Sequence, residues 1–218
     1  MKMWMMIAMC MMFAQQTLAA PNQSKANPAT LLVIGDSLSA AYGIPWESGW
    51  VQQLGEKYSE KWNVVNASIT GDTTAGGLSR LPALLVEHKP AIVIIELGGN
   101  DGLRGYPLQT IESNIKKMIE LSQAQNAKVV LAGMQIPPNY GKRYTEGFTN
   151  IFVSLAKSHN TLLIPFLLDN VATNLQLMQP DRIHPKEEAQ QQILQTVLNT
   201  VKPLLDNPAV VSSGKKSL

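Results

Sequence analysis

The feature that most limits the possible folds is an alternation. Five short apolar runs, Leu31 to Ile34, Val64 to Ala67, Ile92 to Leu97, Val129 to Met134 and Leu162 to Phe166, are separated by longer segments of helical period. The runs are rich in Val, Ile and Leu and largely continuous, which is how strands covered on both faces of a parallel sheet read. The helical segments are Trp50 to Lys61, Gly77 to His88, Leu108 to Gln123, Tyr144 to Ser158 and Lys186 to Leu205. In the third, Ile111, Ile115, Met118 and Ile119 share one face, as do Ala189, Ile193, Val197 and Val201 in the last. Strand, crossover helix and parallel strand repeat with one handedness. The expectation is therefore an α/β three-layer sandwich around a five-stranded parallel sheet. At 218 residues and 45% hydrophobic, the chain is sufficient for one well-buried domain and short for two.

The ends read differently. Residues 1–20 carry one charge (Lys2), an apolar run from Met3 to Ala14 and a polar stretch ending in small residues, the layout of a signal peptide cleaved after Ala19 or Ala20. The run is too short to span a bilayer, so no stable membrane insertion is expected once the signal is removed, and an exported, periplasmic protein is. Cleavage would also remove Cys10, the only cysteine. Residues 21–28 read as a polar linker, 29–205 as the domain and 206–218 as a flexible tail. A formal charge of +2, with both signs interspersed, offers no concentrated field for nucleic acid.

In open α/β sheets ligands gather beyond the carboxyl ends of the strands. The first strand ends in Gly35-Asp36-Ser37, the second runs to Gly71-Asp72 and the third ends in Gly98-Gly99-Asn100-Asp101; the fourth runs into IPPNYG and the fifth into LLDN. Phosphate-binding spacings are absent, and acids at three ends would repel an anion. His88, His159 and His184 lie too far apart for paired metal ligands. His184 stands in PDRIHPKEEA, three residues after Asp181 and just before Pro185. Alone, the pair is a turn and a helix start. With Ser37 it completes a nucleophile, a base and an orienting carboxylate. The Ser37 N–H, the Gly71 N–H and the Asn100 side-chain amide are candidate oxyanion donors. Each glycine or asparagine is singly an ordinary turn former; together, at one sheet edge, they favour catalysis. Asp36, Asp72 and Asp101 are read as turn and cap residues.

Gly35-Asp36-Ser37-Leu38, Gly71, Gly98-Gly99-Asn100-Asp101 and Asp181-Arg182-Ile183-His184-Pro185 resemble, in order and interval, the four blocks of the SGNH, or GDSL, hydrolases, over about residues 29–205. The stretches ELGGNDGLRGYP and ASITGDTTAGGLSRLP look like the bacterial periplasmic group of thioesterases, lysophospholipases and arylesterases. The resemblance implies a flavodoxin-like sheet and a serine esterase acting on fatty-acyl esters and thioesters. In it Ser37 is nucleophile, His184 base then acid and Asp181 the orienting carboxylate, with Ser37, Gly71 and Asn100 forming the oxyanion hole. It implies no cofactor and a small acyl ester or thioester as partner; a monomer is expected. It also places Gly102 and Leu103 beside the acyl pocket. Ile136 and Tyr140 are further candidates for the groove, or equally packing residues. The alternatives are a carbohydrate acetyl esterase of the same superfamily and a non-catalytic lipid or glycan binder.

Overall fold

The first strand, β1 (Ala29–Gly35), sends Leu31 and Val33 to one side of the sheet and Leu32 and Ile34 to the other, and all four are fully buried. The computed structural model describes residues 28–207, so the expected signal peptide, most of the linker and all but the start of the tail lie outside the described residues. β3 (Ile92–Glu96) repeats the pattern, with Ile92 and Ile94 opposed to Val93 and Ile95. Continuous apolar sequence is what a strand with two covered faces requires.

Together with β2 (Trp62–Asn66), β4 (Lys128–Ala132) and β5 (Leu162–Ile164), these strands form an all-parallel sheet in the order β2-β1-β3-β4-β5. Helices α1 (Trp50–Tyr58) and α6 (Gln190–Asp206) cover one face, burying Trp50, Leu54, Ile193 and Val197 against Leu31, Val33 and Ile94. Helices α2 (Thr74–His88), α4 (Leu108–Ala124) and α5 (Lys142–Ser158) cover the other, where Leu81, Ile115, Met118 and Phe148 meet Leu32, Ile34 and Ile95. Each such aliphatic side chain contributes about 1.5–3 kcal/mol on burial. The strand order reverses between β1 and β3, so the crevice of the sheet opens at their carboxyl ends.

The expected sandwich and its five helical segments are present, four of them crossovers and the last following β5; the differences sit at boundaries. Helix α2 begins at Thr74, three residues before the expected Gly77, because Thr73 caps it by accepting the Gly76 N–H. Gly77 lies inside the helix, at a point where it leaves no room for a side chain: a Cβ there would lie 2.2 Å from a Leu97 methyl. The segment Gly99–Leu103, which is not among the expected helical segments, forms the short helix α3. Its preceding residue, Gly98, holds φ at +120°, which glycine alone adopts readily.

Candidate active site

Three loops meet at the crevice. After β1 the chain turns sharply: Ala40 N–H donates to the Asp36 carbonyl, and Leu38 N–H to the Asp36 carboxylate at 3.1 Å. Ser37, nearly buried, stands at the head of this turn. The loop after β2 is tied to it, since Asn66 donates its amide to the Ser39 carbonyl and Ile69 N–H donates to the Gly35 carbonyl. The third loop, Met178 to Pro185, folds back on itself through an antiparallel bridge between those two residues.

The geometry in that loop is dense. The Asp181 carboxylate accepts the N–H groups of Ile183 and His184 on one oxygen, at 2.9 and 3.0 Å, and lies 2.7 Å from His184 Nδ1 with the other. A carboxylate accepts only, so Nδ1 carries the proton and Nε2 is left as an acceptor. The Ser37 hydroxyl donates to Nε2 at 2.9 Å. Burial pushes Asp181 up, but its hydrogen bonds to His184 and Ile183 outweigh that and hold it below the usual carboxylate range. Tyr42 packs against the imidazole, ring centroids 4.4 Å apart.

Of the three expected oxyanion donors, two are unengaged: the N–H groups of Ser37 and of Gly71, at φ +79°, have no hydrogen-bond partner among the described residues. Asn100, the second residue of α3, is engaged. Its amide nitrogen donates to the Asp36 carboxylate at 3.0 Å and to the Asp72 carbonyl at 2.9 Å.

A cavity of about 430 Å³ opens beside Ser37, Asn100 and His184, within the range of small-ligand sites. Leu103 and Ile136 line it, together with Met134, Phe166, Leu168 and Met178. Gly102 and Tyr140 do not. Gly102 is packed beneath Ile136 and Phe148, both within 2.9 Å of where a Cβ would sit, and the Tyr140 hydroxyl turns away to the Leu103 carbonyl at 2.7 Å. A larger open depression at the other end of the sheet, around Gln52 and Trp62, holds none of the groups just described. Among the described residues no cluster of three or more His, Cys, Asp or Glu is placed to hold a metal ion.

Residues 33–192 match the model of the GDSL-like lipase/acylhydrolase family. The chain belongs to that family. Esterase TesA of Pseudomonas aeruginosa is 50% identical over 81% of this chain and 89% of its own length. Thioesterase 1/protease 1/lysophospholipase L1 of Escherichia coli K12 is 44% identical over 82% of this chain and 86% of its own length. Among solved structures, the psychrotrophic esterase EstA of a Pseudoalteromonas species superposes with a TM-score of 0.78 at 42% identity, covering 82% of this chain and 99% of its own.

Several residues that shape this GDSL-family site escaped the sequence reading. Asp72 and Asp101 do turn and cap work as expected: Asp72 accepts from Thr73 N–H and pairs with Arg80, while Asp101 accepts from both the N–H and the hydroxyl of Thr74. Asp36 does more, because its second oxygen holds Asn100. Burial pushes it up to about 6, against the pull of the Leu38 N–H, of His184 when that ring is protonated, and of the Asn100 amide. Gln179 was also missed. Its side chain bridges the carbonyls of Tyr42 and Pro185 at 2.9 and 3.0 Å, clamping the Ser37 loop to the His184 loop. The cavity wall after β5, including Phe166, Leu168 and Met178, was signalled only by the apolar LLDN at the fifth strand end.

Proposed function

We propose that the protein is a serine esterase that hydrolyses acyl esters and thioesters through an acyl-enzyme on Ser37, carried by a single domain over residues 29–205. The observation that carries this reading is the unbroken chain from the Ser37 hydroxyl to His184 Nε2 and from Nδ1 to Asp181, at 2.9 and 2.7 Å. As Ser37 Oγ attacks the acyl carbonyl, His184 Nε2 takes its proton, and Asp181 fixes the tautomer and stabilises the imidazolium that forms. The free N–H groups of Ser37 and Gly71 receive the oxyanion, and Asn100 exchanges its bond to the Asp72 carbonyl for one to that oxygen. His184 then returns the proton to the leaving alcohol or thiol. Water enters by the same route and attacks the acyl carbon as His184 takes its proton; the bond to Ser37 Oγ then breaks, His184 returns the proton to Oγ, and the acid is released.

Further support comes from the relatives: two are named as esterases and a third as a thioesterase and lysophospholipase, and EstA is described as inhibited by monoethylphosphonate. Activated serines attack the phosphorus of phosphonylating agents, displace its leaving group and stay covalently blocked. The apolar cavity favours fatty-acyl chains over acetyl. The signal-like residues 1–20 favour an exported, periplasmic enzyme, which would meet lysophospholipids and other fatty esters more often than cytosolic CoA thioesters. Among the described residues no helix is long and apolar enough to cross a membrane.

Labelling with a fluorophosphonate probe tests the nucleophile. Wild type is expected to react and Ser37→Ala to stay unlabelled; labelling that survives the substitution removes Ser37 from the mechanism. A chain-length series of p-nitrophenyl esters tests the acyl class, and strict preference for acetate would overturn the fatty-acyl assignment.

A further inference from the structure

Beneath the nucleophile loop lies a carboxyl group that the reaction above leaves unused. Glu96 ends β3 with no exposed surface. Its Oε2 accepts the Ser39 hydroxyl at 2.6 Å and the Asp36 N–H at 3.1 Å. Its Oε1 is buried with no hydrogen-bond partner among the described residues. The carboxyl lies flush against the backbone of β1, so that a Cβ on Gly35 would be 2.5 Å from Oε2.

The two donors on Oε2 bracket the nucleophile: Asp36 N–H precedes Ser37 and the Ser39 hydroxyl follows it. We propose that Glu96 is a positioning residue, a buried carboxylic acid that ties both sides of the Ser37 turn to the end of β3 and so aims the serine hydroxyl at His184. The inference rests on the reading of Ser37 as nucleophile.

The neutral form follows from the surroundings. Asp36 is the carboxyl beside Glu96, itself almost wholly buried, and two buried neighbouring carboxyls do not both ionise at neutral pH. Asp36 has the Leu38 N–H and the Asn100 amide to hold a charge, whereas Glu96 has an oxygen with no donor at all. The proton therefore sits on Glu96. Burial first, and then the Asp36 charge, push its carboxyl well above the usual range. The other charged groups facing the pair are spoken for. Arg80 of α2 donates to the Gly35 and Ala67 carbonyls and pairs with Asp72; Asp101 of α3 caps α2; His184 acts on Asp36 from the last loop.

Two substitutions separate positioning from bulk. Glu96→Gln keeps an acceptor for both donors and stays neutral; Glu96→Leu keeps the volume and loses the acceptor. The readouts are the rate of fluorophosphonate labelling at Ser37, and kcat and KM for a short p-nitrophenyl ester from about pH 6 to 10. Glu96→Gln is expected to stay within about threefold of wild type at neutral pH. Glu96→Leu is expected to lose about 100-fold in kcat with little change in KM, the size of effect that a misplacement of about 1 Å produces. Where Glu96 ionises beside Asp36, wild type loses turnover that Glu96→Gln keeps. The inference is overturned if Glu96→Gln is as impaired as Glu96→Leu, or if Glu96→Leu labels at the wild-type rate. Should Glu96→Leu not fold, Ser39→Ala removes one of the two ties. A kcat lowered about 3- to 10-fold supports the inference and an unchanged one refutes it. Wild type that fails to label at Ser37 refutes the nucleophile reading itself, and this inference with it.

Discussion

Replacing Asp181 by Asn reverses one hydrogen bond and, through it, the chemistry of His184. One Asp181 oxygen accepts two backbone N–H groups at 2.9 and 3.0 Å, and only an oxygen can keep those bonds. The side-chain nitrogen of Asp181→Asn must therefore take the other position, 2.7 Å from His184 Nδ1. It donates there, so Nδ1 becomes the acceptor and the proton moves to Nε2. Nε2 is the atom that faces the Ser37 hydroxyl at 2.9 Å, and a protonated Nε2 cannot take the serine proton. The same swap in another serine triad costs about 10,000-fold in kcat with the geometry intact. At about 1.36 kcal/mol per factor of ten, that is roughly 5.4 kcal/mol of transition-state stabilisation. Stability should barely move: the Asp181 side chain is 39% exposed, so the charge pair is worth no more than about 1 kcal/mol after solvent screening. The assay is kcat and KM on a p-nitrophenyl ester, with a urea unfolding curve on the same preparation. A fall in kcat at constant KM and constant midpoint is expected. Activity within about tenfold of wild type would refute the tautomer argument, because a retained base does not need the carboxylate.

Other consequences can be measured separately. Asn100→Ala should lower kcat roughly 100- to 1000-fold, as for one lost oxyanion donor; an unaffected kcat would leave the two backbone N–H groups as the whole hole. Arg182 holds φ at +58°, where a Cβ costs about 1–2 kcal/mol, so Arg182→Gly should raise stability by up to about 1 kcal/mol after the glycine's own entropy cost, read as a higher Tm. Gly77→Ala should destabilise by about 1–3 kcal/mol in urea unfolding, because the new methyl meets Leu97 at 2.2 Å and α2 must lift from the sheet. Glu96 is raised in the folded state, so folded protein binds its proton more tightly than unfolded chain does. Its contribution is fully present at acid pH and is lost as pH rises above the ordinary carboxyl value toward its raised one. Glu96→Gln has no such loss and should gain stability relative to wild type across that window; a gap that narrows with rising pH contradicts the assignment.

The strands were legible because burial on both faces leaves a one-dimensional trace, an unbroken apolar run. Ser37, Gly71, Asn100 and His184 were legible because each is a polar or glycine residue at a loop bordering the carboxyl edge of the sheet. Helix α3 was hidden by its own glycines, which read as breakers although Gly98 supplies a turn and Gly102 makes room for Phe148. Gln179 was hidden for a different reason: its partner Tyr42 lies 137 residues away, and no local pattern encodes such a clamp. Glu96 is the instructive case. It sits inside the run Ile92 to Leu97, where an ionisable side chain is out of place unless something receives it. Parallel pairing sets Gly35 beside Glu96, and the missing side chain at Gly35 is the space its carboxyl fills. The glycine before Asp36-Ser37 and the acid in the third apolar run are thus one signal divided between two strands. Neither half has meaning until the register that joins them is known, and a turn-forming glycine is the natural reading of the first half alone.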